Sequence, residues 1–210
     1  VGIPASIQNL LNVTGMTVLN NFTAVYGAAA VAAMGIAQKI YIIPMYIAQG
    51  ISQGIMPLVS YNFASGDGSR VKRTIYFTLA LLLCFMSAST LLCFFSSDAL
   101  VGLFIQNEEI IACGGRFLKG LCFAVLFLSV DFLAVGVFQA CGMGKKSLLF
   151  AVLRKVVLEI PALIVLNRLY PLYGLSYAQL VAEIILAAAA VFQLRRIIKK
   201  LNKREGRENT

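Results

Sequence analysis

Six long apolar stretches, at roughly 3–25, 31–62, 75–95, 113–140, 148–167 and 177–197, leave this chain few ways to fold. About 20 mostly apolar residues cross the ~30 Å hydrocarbon layer of a bilayer as a helix. Runs such as Leu79–Leu83 and Ile184–Val191 are continuously apolar and lack the alternation of a membrane barrel. The expected fold is therefore all-α, a polytopic membrane protein with six transmembrane helices forming one lobe over 1–197. Composition agrees: 13% of the residues are charged, about half the fraction of a soluble domain.

The net charge of +9 would suit a nucleic-acid binder, but its distribution does not. Arg70, Lys72 and Arg73 follow the second span. Lys145, Lys146, Arg154 and Lys155 lie in or beside the next loop on the same side. Arg195, Arg196, Lys199, Lys200, Lys203, Arg204 and Arg207 close the chain. The opposite side holds Arg116, Lys119 and Arg168, together with Asp98, Glu108 and Glu109. The positive-inside rule then puts both ends of the chain in the cytoplasm, as an even number of spans also requires. Residues 198–210 form a basic cytoplasmic tail, expected to fray beyond Leu201, that either touches anionic headgroups or is merely solvated. The chain opens at Val1 inside an apolar segment and is read as a piece of a longer protein.

Function is narrowed next by what the polar residues can do. The sequence contains no histidine, and its five cysteines, Cys84, Cys93, Cys113, Cys122 and Cys141, lack metal-site spacing. Cys93 and Cys113 could bridge near the outer face. Gly142, Gly144, Lys145, Lys146 and Ser147 do not have the order of a phosphate-binding loop. The loop at Gly66, Asp67, Gly68 and Arg70 has a similar plan to this one, with Asp67 or Ser69 placed to cap the next helix. A short interfacial helix is expected within 96–116.

Two spans carry polar stripes. In the first, Gln8, Asn12, Met16 and Asn20 follow helical i, i+4 spacing. In the second, Gln38, Met45, Gln49 and Gln53 form a polar, Met-rich stripe on a helix interrupted by Pro44 and Pro57. Such faces are costly against lipid, so they either bond neighbouring helices or line a cavity. Gly50 and Gly54 make a GxxxG match that suggests close helix packing.

Charges inside spans are rarer still. Asp131 stands near the middle of the fourth span, where a carboxylate could hold Na⁺, accept H⁺ or serve as a buried hydrogen-bonded group. Glu159, just before Pro161, is open to the same alternatives. Lys39 and Glu183 are read as structural, paired within the bundle or, for Lys39, snorkelling to water.

The stretch Gly50-Ile-Ser-Gln-Gly54-Ile-Met-Pro57-Leu-Val-Ser-Tyr-Asn62-Phe-Ala-Ser-Gly66-Asp67, followed by Arg70 and Arg73, resembles the end of the second helix in the carboxy-terminal lobe of MATE (multidrug and toxic compound extrusion) transporters. Asp131, Gly136, Phe138-Gln139-Ala140 and Gly142 with Gly144 are similar to that lobe's fourth helix. Arg154 with Glu159-Ile-Pro161 resembles the fifth helix of the bacterial MepA-like branch. The resemblance implies half of a twelve-helix exporter in a bacterial cytoplasmic membrane. It further implies expulsion of cationic, hydrophobic small molecules in exchange for Na⁺ or H⁺ by alternating access, with no other cofactor and with an amino-terminal lobe as partner. Asp131 falls where many members have an acid, so it and Glu159 are the ion-coupling candidates and Asp131 the one candidate Na⁺ ligand. Many members also carry a Glu in the lobe's first helix, where this chain has Gln8, Asn9, Asn12, Asn20 and Asn21. The rivals are a lipid-linked oligosaccharide flippase of the same superfamily, which would need cations in its cavity and has Lys39 as the main candidate, and a non-catalytic structural membrane subunit. An enzyme is not expected.

Overall fold

The computed structural model describes residues 2–208, with side chains from 6 to 199 and at 201. It is helical throughout apart from short turns, with no strand among the described residues. Six helical columns follow one another. They are α1 (Gly2–Ala24); α2 (Ala28–Gly54), continued by α3 (Met56–Ala64); α4 (Gly68–Phe95); and, after a short helix α5 (Ser97–Gly102), α6 (Glu108–Ala140). The fifth column is α7 (Gly144–Val152), a π-helical segment Leu153–Glu159 and α8 (Ile160–Leu169), and the sixth is α9 (Gly174–Glu208). Four stretches, in α2–α3, α4, α6 and α9, are long and apolar enough to cross a membrane outright. The other two are also long enough to cross. At 1.5 Å per residue the 23 residues of α1 span about 35 Å. What sets them apart is polarity: the Asn/Gln stripe in α1, and Arg154, Lys155 and Glu159 in the fifth column.

Turn chemistry explains where the columns stop. Gly27 takes φ 101°, allowing the abrupt reversal between α1 and α2. The loops at 65–67 and 141–143 close alike. Gly66 and Gly142 take positive φ, while Asp67 N–H donates to Asn62 O and Met143 N–H to Phe138 O, a Schellman closure in each case. Asp67 then caps α4 by accepting from Arg70 N–H at 2.9 Å. Asn107 does the same for α6, accepting from Ile110 N–H at 3.2 Å.

Helix α6 is the axis of the lobe. Most residues from Gly114 to Gln139 are buried, against α2, α4 and α9. Its glycines permit that closeness: a Cβ on Gly136 would sit 2.8 Å from Ser52 O of α2, and one on Gly114 3.3 Å from Ala33 O. The close packing expected of Gly50 and Gly54 is absent, because both face open space. By contrast α4 buries a single stripe, including Val71, Ile75, Leu82 and Met86, and leaves Phe77, Leu81, Leu91 and Leu92 exposed, as a lipid-facing helix should.

Two more expectations change. Helix α9 continues through Glu208 instead of fraying after Leu201. All five cysteines are free thiols, and Cys93 is buried against Cys122 instead of meeting Cys113.

Candidate functional site

Five charged side chains are buried among the described residues: Asp131 on α6, Arg154, Lys155 and Glu159 in the π segment, and Glu183 on α9. Four of them, Arg154, Lys155, Glu159 and Glu183, line one small cavity of about 30 Å³ on which α1, α2, α6, the π segment and α9 converge, and Asp131 stands behind Arg154. The π segment puts the basic residues there. Pro161 has no N–H to donate and its ring crowds the preceding turn. The Ile160 N–H reaches back to Lys155 O, one residue further than in an α-helix. Adjacent side chains then leave the wall in different directions.

Arg154 faces α6 and α1. Its Nη1 donates to Asp131 Oδ2 at 3.0 Å, its Nη2 donates to Asn12 Oδ1 at 2.7 Å, and its guanidinium lies 5.1 Å from the centre of the Phe132 ring. Both members of the ion pair are 1% exposed. Lys155 passes over Gly15, where any side chain would collide with its Cδ, and turns back to Glu159 at 2.6 and 2.9 Å. On the far wall Gln179 Nε2 donates to the Tyr41 hydroxyl. Glu183 is fully buried and lines the cavity, yet neither of its oxygens has a hydrogen-bond partner among the described residues. Asp131 Oδ1, Arg154 Nε and Gln38 Nε2 are likewise unpaired.

A second space adjoins the first. A groove of about 430 Å³ runs between α1 and α2, lined by Asn9, Asn12, Met16, Met45, Gln49 and Gln53 together with Tyr46 and Gly50. Asn12, Met16 and Met45 line both spaces. The inner cavity has room for a water molecule or two, whereas the groove is the size of a small-molecule site.

The predicted stripes thus meet here in part. Asn12, Met16, Gln38, Met45 and Glu159 line the inner cavity, and Gln49 and Gln53 belong to the groove. Asp131 reaches the cavity wall through Arg154. Gln8 and Asn20 line neither space. Arg154 and Lys155, expected beside the cytoplasmic loop, are buried instead, and Lys39 is exposed. Sequence reasoning also missed Tyr41 and Gln179. The available signal was the apolar run on either side of Arg154–Lys155, with an acid four residues on.

The MatE family model matches residues 4–165. The chain belongs to the MatE family. Among curated relatives, the multidrug export protein MepA of Staphylococcus saprophyticus is 35% identical over 192 residues, covering 91% of this chain and 42% of that protein. The protein of the same name from Staphylococcus haemolyticus is 33% identical over 193 residues. The chain therefore spans less than half the length of the relatives it matches. Among solved structures, an outward-facing MATE-family transporter of the MOP superfamily superposes with a TM-score of 0.90 at 17% identity, over 97% of this chain and 46% of that one. An inward-facing MATE-family structure gives 0.88 at 18%, over 97% and 48%. The bent form of the Vibrio cholerae transporter VcmN gives 0.87 at 20%, over 96% and 46%. These likenesses establish the six-helix MatE-family fold of the chain. The site residues come from its own side chains.

Proposed function

We propose that this chain is one lobe of an ion-driven exporter of cationic, hydrophobic small molecules, exchanging them for Na⁺ or H⁺ by alternating access. The observation that carries the proposal is the junction at Asn12. One side of this residue faces an open, Met- and amide-lined groove, and its Oδ1 holds the guanidinium that neutralises Asp131. Polar amides and methionines suit varied organic ligands, because Met repacks around different shapes. A charge change in the buried cluster reaches the groove through one hydrogen-bonded chain, Asp131–Arg154–Asn12. The near-equal likeness to outward- and inward-facing structures supports a lobe that rocks largely as a unit. The rest of the transporter is then an amino-terminal lobe of the same protein. The charge asymmetry supports a bacterial cytoplasmic membrane with both ends of this chain inside.

Within this reading Asp131 and Glu159 are the acids whose ion pairs are exchanged for a coupling ion, with Asp131 the candidate for Na⁺. The flippase reading needs free cations to meet phosphate, and both buried cations here are already engaged by carboxylates. Ethidium efflux from energised cells expressing the complete transporter tests the proposal, with and without a Na⁺ gradient, beside Asp131→Asn. Gradient-dependent efflux that is lost in the variant is expected. A well-inserted wild-type protein that exports nothing would sink the reading.

A further inference from the structure

The buried cluster does not balance. Its three carboxylates, Asp131, Glu159 and Glu183, face two cations, Arg154 and Lys155. Arg154 is committed to Asp131 and Lys155 to Glu159, both within 3.0 Å. Glu183 is left with no donor on either oxygen among the described residues and no exposure to solvent. An ionised carboxylate there would be buried with no hydrogen bond to hold it, beside two cations already engaged by other acids. One proton brings the whole cluster to neutrality, and the unpaired acid is where it costs least.

We propose that Glu183 carries the exchangeable proton of this site, held while the groove is empty and released when an organic cation occupies the groove. The inference rests on the exporter reading above and moves the exchanged proton from the α6 acid to α9. The groups facing Glu183 are Arg154, Lys155, Glu159 and Asp131 from the π segment and α6, Tyr41 and Gln38 from α2, and Gln179 one turn before it on α9. A proton suits this cavity better than Na⁺. A hard cation would need several oxygen ligands and would sit beside two cationic side chains in about 30 Å³. A proton needs one lone pair and a water-sized path. On release the Glu183 O–H bond breaks, the proton leaves on water and the carboxylate keeps the electron pair. The cluster then carries one net negative charge. Arg154 is drawn toward two acids, its hold on Asn12 weakens, and the groove favours a cation.

The test uses the purified complete transporter at neutral pH. Infrared spectra should contain the C=O stretch of a protonated buried carboxylic acid, absent from Glu183→Gln and restored in Glu183→Asp. Ethidium binding should remove that band and release about one proton per ethidium bound, so affinity rises close to tenfold per pH unit until Glu183 is ionised. The Glu183→Gln protein should bind ethidium with no proton release. A wild-type spectrum without the band overturns the proposal, whatever the variants do. So does proton release that persists in Glu183→Gln and vanishes in Asp131→Asn. Failure of the wild type to bind ethidium at all would instead strike the exporter reading, while the band would still report whether Glu183 is protonated.

Discussion

At the residue scale the account depends on Arg154. It is among the largest fully buried side chains and holds Asp131 and Asn12 at once. Removing one partner of a buried ion pair strands the other charge, at a cost of about 3–5 kcal/mol, whereas replacing both with apolar groups is often close to neutral. Arg154→Met should therefore lower the melting temperature of the purified transporter sharply, and Asp131→Leu/Arg154→Met should recover most of that loss. Equal melting of Arg154→Met and wild type would contradict the pairing. Asp131 and Glu159 were legible as candidates because an acid inside an apolar run has few innocent explanations. Arg154 and Lys155 were not. A basic pair at the edge of a basic loop looks the same whether it turns to water or into the bundle, and only the position of Asp131 on another helix decides between them. Glu183, read as paired within the bundle, is buried with no hydrogen-bond partner among the described residues, because sequence shows an acid and not whether a partner reaches it.

At the scale of elements, bilayer thickness makes spans easy to read, since a crossing helix has a minimum length that hydropathy reports. The six columns, the short helix α5 and the Asp67 cap follow from local sequence. Helix contacts do not. Gly50 and Gly54 have the spacing of a packing motif, but the face that meets a neighbour is fixed by α6, whose Gly136 fits against Ser52 O. Gly136→Ala must push α2 and α6 apart and should cost about 1–3 kcal/mol. Gly50→Ala, inside α2 and facing open space, should not lower the melting temperature. Thermal unfolding of the two variants side by side checks this assignment of the packing faces. The π segment was also hidden. Pro161 announces a broken helix, but not that the preceding turns widen and carry Arg154 and Lys155 inward.

For the whole molecule, the groove between α1 and α2 is open on the side where Asn9 and Gln53 are exposed, whereas Leu81 of α4 is exposed among apolar neighbours. In the complete transporter the first face should look onto the transport path and the second onto lipid. In a cysteine-free background, Gln53→Cys should react with a water-soluble maleimide and be protected by ethidium. Leu81→Cys should react slowly, with no protection. Reversal of that pattern would mean that the groove faces the bilayer. The central claim is that the buried cluster couples an ion gradient to movement of an organic cation. Its most direct test is ethidium flux through the purified complete transporter in proteoliposomes, under an imposed pH or Na⁺ gradient, for wild type and Asp131→Asn. The account predicts uphill ethidium movement that follows the gradient, collapses with an ionophore and is absent in Asp131→Asn. Flux that is indifferent to both gradients, or unchanged in Asp131→Asn, would contradict it.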